Sequence, residues 1–168
     1  VMWRIPAVIF IKSDRPDIHG LADLQGKRVS IQKGDYAREY LAAKKIRIID
    51  IPSDSFEEAT RFLISGRADA VIGDEQIVLH YLYSSGVLEK VKRVGRPLYM
   101  GENCMAVRDG DRVLLSILDK GIRLARERGI IGKIDRKWVG THYVGKSAWF
   151  ERHIGNILIA AAVILLIV

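Results

Sequence analysis

A single cysteine, Cys104, stands in the 168 residues. It excludes an internal disulfide framework and any multi-cysteine zinc or iron–sulfur site. The four histidines, His19, His80, His142 and His153, are scattered, and no two stand three or four residues apart as a helical metal pair would. No metal and no cofactor is therefore expected. The chain also lacks the glycine-rich phosphate loops and the Gly-x-Ser-x-Gly elbow of the hydrolases. Glu57-Glu58 and Asp74-Glu75 are adjacent acids, and neighbours on a helix point apart rather than forming a catalytic pair. Catalysis by this chain is not expected. The start, Val1–Pro6, has no apolar stretch followed by a cleavage site, so it is not read as a signal peptide. Internal repeats and low-complexity segments are missing as well.

Charge of one sign is scarce where the other collects. Lys and Arg number 27 against 20 Asp and Glu, a net +7. The stretch from Lys120 to Arg152 holds nine basic residues and three acids, so nearly all the excess lies there. Nucleic acid would call for a basic face interleaved with aromatics or a recognition helix. A solvated helix face, or attraction to anionic headgroups, accounts for this run as well, and no nucleic-acid partner is expected. After it, residues 154–168 carry no charge. Trp149-Phe150 and Arg152-His153 precede the apolar run as aromatic and cationic residues do at a membrane interface. The run is read as a truncated transmembrane helix, against a buried terminal helix as the alternative.

Between the ends, apolar runs alternate with helical spacing. Strands are expected at Ala7–Ile11, Arg28–Gln32, Ile46–Ile51, Ala70–Ile72, Val91–Val94 and Asn103–Arg108. Cys104 falls in the last of these, as a small core residue. A short helical turn is expected at Leu21–Gly26. Helices are expected over Tyr36–Lys44 behind Asp35, from Phe56 to Leu63 behind Ser53/Ser55, from Asp74 through Leu82, from Asp111 to about Arg128, and over Ile130–Trp138. Repeated strand–helix units imply an α/β fold, a mostly parallel sheet with helices on both faces.

In such sheets ligands sit beyond the carboxyl ends of strands. Two turns stand there. In Gln32-Lys33-Gly34-Asp35-Tyr36, Gly34 allows close backbone approach and the helix start offers N–H groups to an anion. In Ile72-Gly73-Asp74-Glu75-Gln76, a lone carboxylate could take an ammonium. One donor turn and one acid suit a zwitterion such as an amino acid. Asp74 serving only as a helix cap is the equal alternative.

The runs Leu21-Ala-Asp-Leu-Gln-Gly-Lys-Arg-Val29, Gln32–Tyr36, Ser55-Phe-Glu-Glu-Ala59, Leu63-Ile-Ser-Gly-Arg-Ala-Asp-Ala-Val-Ile-Gly-Asp74, Met105-Ala-Val-Arg108 and Gly132–Gly140 resemble the family 3 extracellular solute-binding proteins, in order and spacing over about Pro6–Gly140. The resemblance implies the periplasmic-binding-protein-like type II fold, a Venus flytrap closing on an amino acid, polyamine or similar solute. It divides the chain into a partial flytrap domain, 1–140, with lobe 2 at about 17–95, a juxtamembrane segment, 141–153, and a truncated membrane helix, 154–168. The family's first segment, with its ligand-holding aromatic, serines and arginine, has no counterpart here. The resemblance assigns ligand contacts to Gln32, Asp35, Tyr36, Ala37 and Asp74, with Asp74 on the ligand's ammonium, and Gly34 joins them from its place in the turn. Asp35 departs from the pattern, since amino-acid binders usually carry Ser or Thr there; an acid favours a cationic ligand. Hinges are expected near Ile11–Ser13 and Arg96–Leu98.

A flytrap running into a membrane helix resembles the input domains of sensor histidine kinases and diguanylate cyclases. That order implies a periplasmic sensing domain held at the inner membrane, in a receptor that could be a homodimer. A membrane-anchored binding component of an ABC transporter is the first rival. An enzyme fusion and a basic membrane-surface or nucleic-acid binder are weaker ones. The unpartnered part of lobe 1 is expected to expose apolar surface.

Overall fold

The structure is a computed structural model, and it describes residues 1–138. The expected juxtamembrane segment and membrane helix lie outside these residues. Among the described residues no helix is long and apolar enough to cross a membrane.

Strand β1 (Trp3–Lys12) opens the chain, followed by a 3-10 turn at Leu21–Leu24. Then come β2 (Arg28–Gln32), α1 (Ala37–Ala43), β3 (Ile49–Ser53), α2 (Phe56–Ile64), β4 (Ala70–Asp74) and α3 (Glu75–Ser84). A second 3-10 turn, Leu88–Lys90, leads into β5 (Val91–Asn103), α4 (Arg112–Glu127) and α5 (Ile130–Trp138). One sheet holds all five strands, in the order β3-β2-β4-β1-β5.

The sheet is mixed, which corrects the expectation of a mostly parallel one. Parallel pairing is confined to β2 with β3 and β2 with β4, the strands joined through α1 and α2. Strand β1 runs antiparallel to both β4 and β5. Strand–helix–strand units that join parallel strands run only from Arg28 to Asp74. Outside it the chain returns as a long two-stranded ribbon, which needs no crossover helix.

Helices do cover both faces, and each face has its own core. On one side Ile9, Ile11, Val29, Ile31, Ala70 and Ile72 pack with Leu24, Ala37 and Leu41. On the other, Val8, Phe10 and Val71 pack with Phe56, Ala59 and Leu63 of α2 and Val78 and Leu82 of α3. Residues 7–11 of β1 are buried without a break because both faces of that strand are covered. They sit at the heart of this unit, although the resemblance divided β1 from it. Gly73 is required by packing: a Cβ there would stand 2.8 Å from the ring of Phe56.

Two caps match the sequence. The Ser55 hydroxyl accepts the Glu58 N–H at 3.1 Å, and Asp111 Oδ1 accepts the Leu114 N–H at 3.0 Å. Strand β3 starts at Ile49, three residues later than expected, and Ile46 and Ile48 instead pack against the core from the approach to it.

The separate strands expected at Val91–Val94 and Asn103–Arg108 are in fact one, β5, ending at Asn103. Residues 104–108 have no regular structure, and Cys104 is exposed rather than in a core. Pro97 lies inside this strand although proline cannot donate to a ladder. Here β5 is the sheet's edge strand, where proline is tolerated. The ladder steps instead: Ala7 faces Tyr99 while Ile9 faces Val94, so residues 95–98 bulge opposite Val8 alone. Gly95 takes the positive φ of 70° that the bulge needs, and its close approach to the Gly20 backbone leaves little room for a Cβ. This break coincides with Arg96–Leu98 and lies upstream of Ile11–Ser13.

Candidate functional site

Ladder register aligns the site. Ala7 pairs with Asp74 on one side and with Tyr99 on the other. Cross-strand partners project to the same face, so Asp74 and Tyr99 flank the small methyl of Ala7. The turn after β2 brings Asp35 to the same place, and the Tyr99 hydroxyl donates to Asp35 Oδ1 at 2.9 Å. Gly34, at φ 77°, lets the chain turn sharply enough for Asp35 to follow Gln32 in a tight loop, where the Asp35 N–H donates to the Gln32 carbonyl at 3.1 Å.

Three tyrosine rings form one side. Tyr99 lies 5.1 Å from Tyr36 and 5.2 Å from Tyr40, centroid to centroid, the first pair edge-to-face. Tyr36 and Tyr40 stand four positions apart at the start of α1 and approach to 6.4 Å. Tyr40 and Tyr99 are half-buried, while Tyr36 is 54% exposed.

Neither carboxylate is matched by a cation among the described residues. The contrast with their neighbours is plain. Glu75, next to Asp74, holds Arg93. Asp54 pairs with Lys33 at 2.7 Å. Arg38 is committed to Asp50 and to the carbonyls of Gln32 and Ile31. Asp74 caps nothing with its side chain, which argues against a purely structural role at the start of α3. Burial pushes the Asp74 carboxyl upward, and the charge of Asp35 pushes it further. Burial, followed by the Asp35 charge and hydrogen bond, raises the Tyr99 phenol well above its ordinary range, so it stays a donor. No group of three or more residues among those described could hold a metal ion.

The sequence-derived residues divide. Asp35, Tyr36 and Asp74 face one another across the site. Ala37 is buried in the core, and only its N–H is directed here, already donated to Asp35 Oδ1 at 2.7 Å. That donor is thus taken by the protein's own carboxylate. Gln32 and Gly34 shape the turn through their backbone. Tyr99 and Tyr40 were missed as site residues. Tyr40 stands inside α1 without a local sign of a site, and Tyr99 is brought in by a ladder step that no local pattern announces.

No family model matches the chain. The ABC transporter arginine-binding protein 1 of Escherichia coli (strain K12) is 29% identical over 134 residues, which are 79% of this chain and 54% of that protein. The chain spans about half the length of the curated relatives it matches. Among solved structures, an ancestral arginine-binding protein bound to glutamine is 31% identical, with a TM-score of 0.71 over 83% of this chain and 62% of the other. A histidine kinase sensor domain with similarity to periplasmic binding proteins is 26% identical, with a TM-score of 0.73 over 82% and 60%. Each of these relatives is named for binding or sensing rather than for catalysis. The fold is that of the type II periplasmic binding proteins in part, and the homologues of this chain are amino-acid-binding proteins.

Proposed function

We propose that the chain is the greater part of an extracytoplasmic ligand-binding domain, which takes an amino acid or similar small solute at Asp35, Asp74 and the tyrosines. One observation carries this reading. Two carboxylates, half-buried and unmatched by any cation among the described residues, converge beyond the ends of the parallel strands β2 and β4. Leaving such groups unpaired costs stability, and a ligand amine repays that cost. The five-stranded unit is one lobe of a clamshell, the β1–β5 ribbon links it to the other, and the step at Gly95–Leu98 is where the ribbon bends.

The domain serves as the sensing input of a membrane receptor, probing the periplasm for a histidine kinase or a diguanylate cyclase. The sensor-domain neighbour supports that reading. The curated relatives favour a second one, a binding component of an ABC transporter. The reading frame beyond Val168 separates them: kinase or cyclase motifs support the receptor, and a stop codon soon after the apolar run supports the transporter component.

Calorimetric titration of the full protein with the amino acids and simple diamines tests binding itself. Saturable binding of at least one, abolished in Asp74→Ala, is expected. A full panel without binding would overturn the reading.

A further inference from the structure

We propose that the bond from the Tyr99 hydroxyl to Asp35 is a latch on the hinge, fixing the angle at which the β1–β5 ribbon leaves the five-stranded unit. It rests on the clamshell reading above and goes beyond it, because it concerns the ligand-free protein and is indifferent to which solute binds.

The bond stands where the ribbon leaves the sheet. Strand β1 pairs with β4 only from Ala7 to Phe10, so Ala7 is its last row with a third strand beside it. From Pro6 back to Trp3 it pairs with β5, against Met100 to Asn103. The exit row is therefore Ala7 with Tyr99. Strand β5 reaches this row straight after its irregular stretch, in which Gly95, Arg96 and Pro97 are exposed. An edge strand with a gap in its ladder opens there more readily than elsewhere. Two kinds of contact hold it down. Leu98 and the Tyr99 ring pack against the core, and apolar contacts of that kind fix no direction. The Tyr99 hydroxyl donates to Asp35 Oδ1 at 2.9 Å, and a hydrogen bond weakens steeply as its angle changes.

Both ends of the latch are held. Asp35 Oδ1 also accepts the Ala37 N–H at 2.7 Å, and Ala37 is buried in the core, so the acceptor is fixed to the start of α1. The Tyr99 ring lies against Tyr36 and Tyr40, which limits its swing. Burial and the charge of Asp35 keep the phenol protonated, and a charged acceptor makes the bond stronger than a neutral one. Polar contacts further along stay within the ribbon and α4: Arg4 with Glu102 at 2.9 Å, and Arg126 with the Val1 carbonyl at 2.8 Å. They stiffen the ribbon without tying it to the unit. A bend at the exit row has to break the Tyr99–Asp35 bond or drag the α1 turn with it.

The chain's cysteine gives a direct readout. Cys104 is exposed one residue past the end of β5 and takes a spin label. A second label at Ser84→Cys, exposed at the end of α3, reports from the unit. Double electron–electron resonance between the two, in the ligand-free full protein, measures the spread of ribbon angles. One dominant spacing is expected while Tyr99 and Asp35 are intact. Tyr99→Phe keeps the ring and removes the hydroxyl. It is expected to raise the population of other spacings about tenfold, the loss of one partly exposed hydrogen bond to a charged group. Asp35→Ser, whose hydroxyl can still accept the Ala37 N–H, is expected to act alike. The two together are expected to add nothing, since they open the same bond. The latch is overturned if Tyr99→Phe leaves the spacings unchanged or if the effects add in the double variant. Either failure with two spacings visible throughout leaves the clamshell reading standing. One narrow spacing common to every variant overturns that reading too.

Discussion

Helices α2 and α4 are both amphipathic, and the fold treats them in opposite ways. In α2, Phe56, Ala59, Thr60 and Leu63 are buried against the sheet. In α4, no residue is buried, and Val113, Leu114, Leu115 and Ile117 stand 73%, 42%, 44% and 60% exposed. The same division separates the two halves of the described chain. Residues up to Asn103 build two cores on one sheet, whereas the stretch after it packs mainly α4 on α5 and leaves Ile130 and Ile134 open as well. An apolar stripe marks a face meant for cover, and its energy is realised only when another surface meets it. The expectation of exposed apolar surface at this end of the chain agrees with what α4 and α5 display.

The comparison breaks most visibly in the cores. Phe10→Ala, in the buried stretch of β1, is expected to cost about 3–5 kcal/mol. Ile117→Ala in α4 is expected to stay within about 0.5 kcal/mol. Denaturant unfolding of both, followed by circular dichroism, checks the pair. A cost above about 1 kcal/mol at Ile117 would mean that α4 is covered in solution.

Next in size is the ion-pair cluster at the starts of strands β2 and β4. Asp69, with a side chain 10% exposed, accepts from the Arg15 guanidinium, from the Arg28 guanidinium and from the Arg28 N–H. Burial alone would raise its carboxyl, but the bonds from Arg28 and Arg15 overcome this and hold it well below the usual carboxylate range. Asp69→Asn is expected to cost about 2–3 kcal/mol, below the figure for a fully buried pair because the arginines are partly solvated. The depressed value sets the sign of the pH dependence. The contribution is present above the unfolded carboxylate value near pH 4 and is lost as the pH falls through the folded one. Acid unfolding curves of Asp69→Asn should therefore be flatter than those of the unmodified protein.

Asp74 should behave in the reverse sense. Its carboxyl is raised by burial and by Asp35, so ionisation opposes folding. Its favourable share is present below the unfolded value and vanishes as the pH rises through the folded one. Asp74→Asn is expected to stabilise the ligand-free protein by on the order of 1 kcal/mol near pH 7 while abolishing binding. Thermal melts at neutral and acidic pH read this directly. A destabilised Asp74→Asn would mean that the carboxylate has a structural partner.

The smallest effect belongs to the α4 surface. The double substitution Val113→Ser and Ile117→Ser should leave unfolding within about 0.5 kcal/mol and reduce self-association in sedimentation. Unchanged association would place the sticky surface elsewhere.

Much of this architecture was legible in the order of residues. Ser55 and Asp111 were recognisable as caps because capping needs only neighbours within three residues. The turns that carry Asp35, Tyr36 and Asp74 were legible because strand ends in α/β units are local features too. Ala7–Ile11 was recognisable as buried because both faces of the strand are apolar. Strand β5 was not legible as one element because its middle, with Gly95 and Pro97, carries no strand pattern of its own, and only the edge position makes Pro97 harmless.

The sequence by itself determined most of the elements, the caps at Ser55 and Asp111, the apolar faces and the two acid-bearing turns, since each depends on spacing along a few residues. Only the tertiary structure decided that β1 and β5 pair as an antiparallel ribbon, that its ladder steps by three residues at Gly95–Leu98, and that Tyr99 thereby meets Asp35. It also decided which amphipathic helices were covered. These outcomes depend on register and on pairings between residues as far apart in the chain as Trp3 and Asn103. No short-range pattern specifies them, because side-chain direction along a strand flips with every single-residue shift.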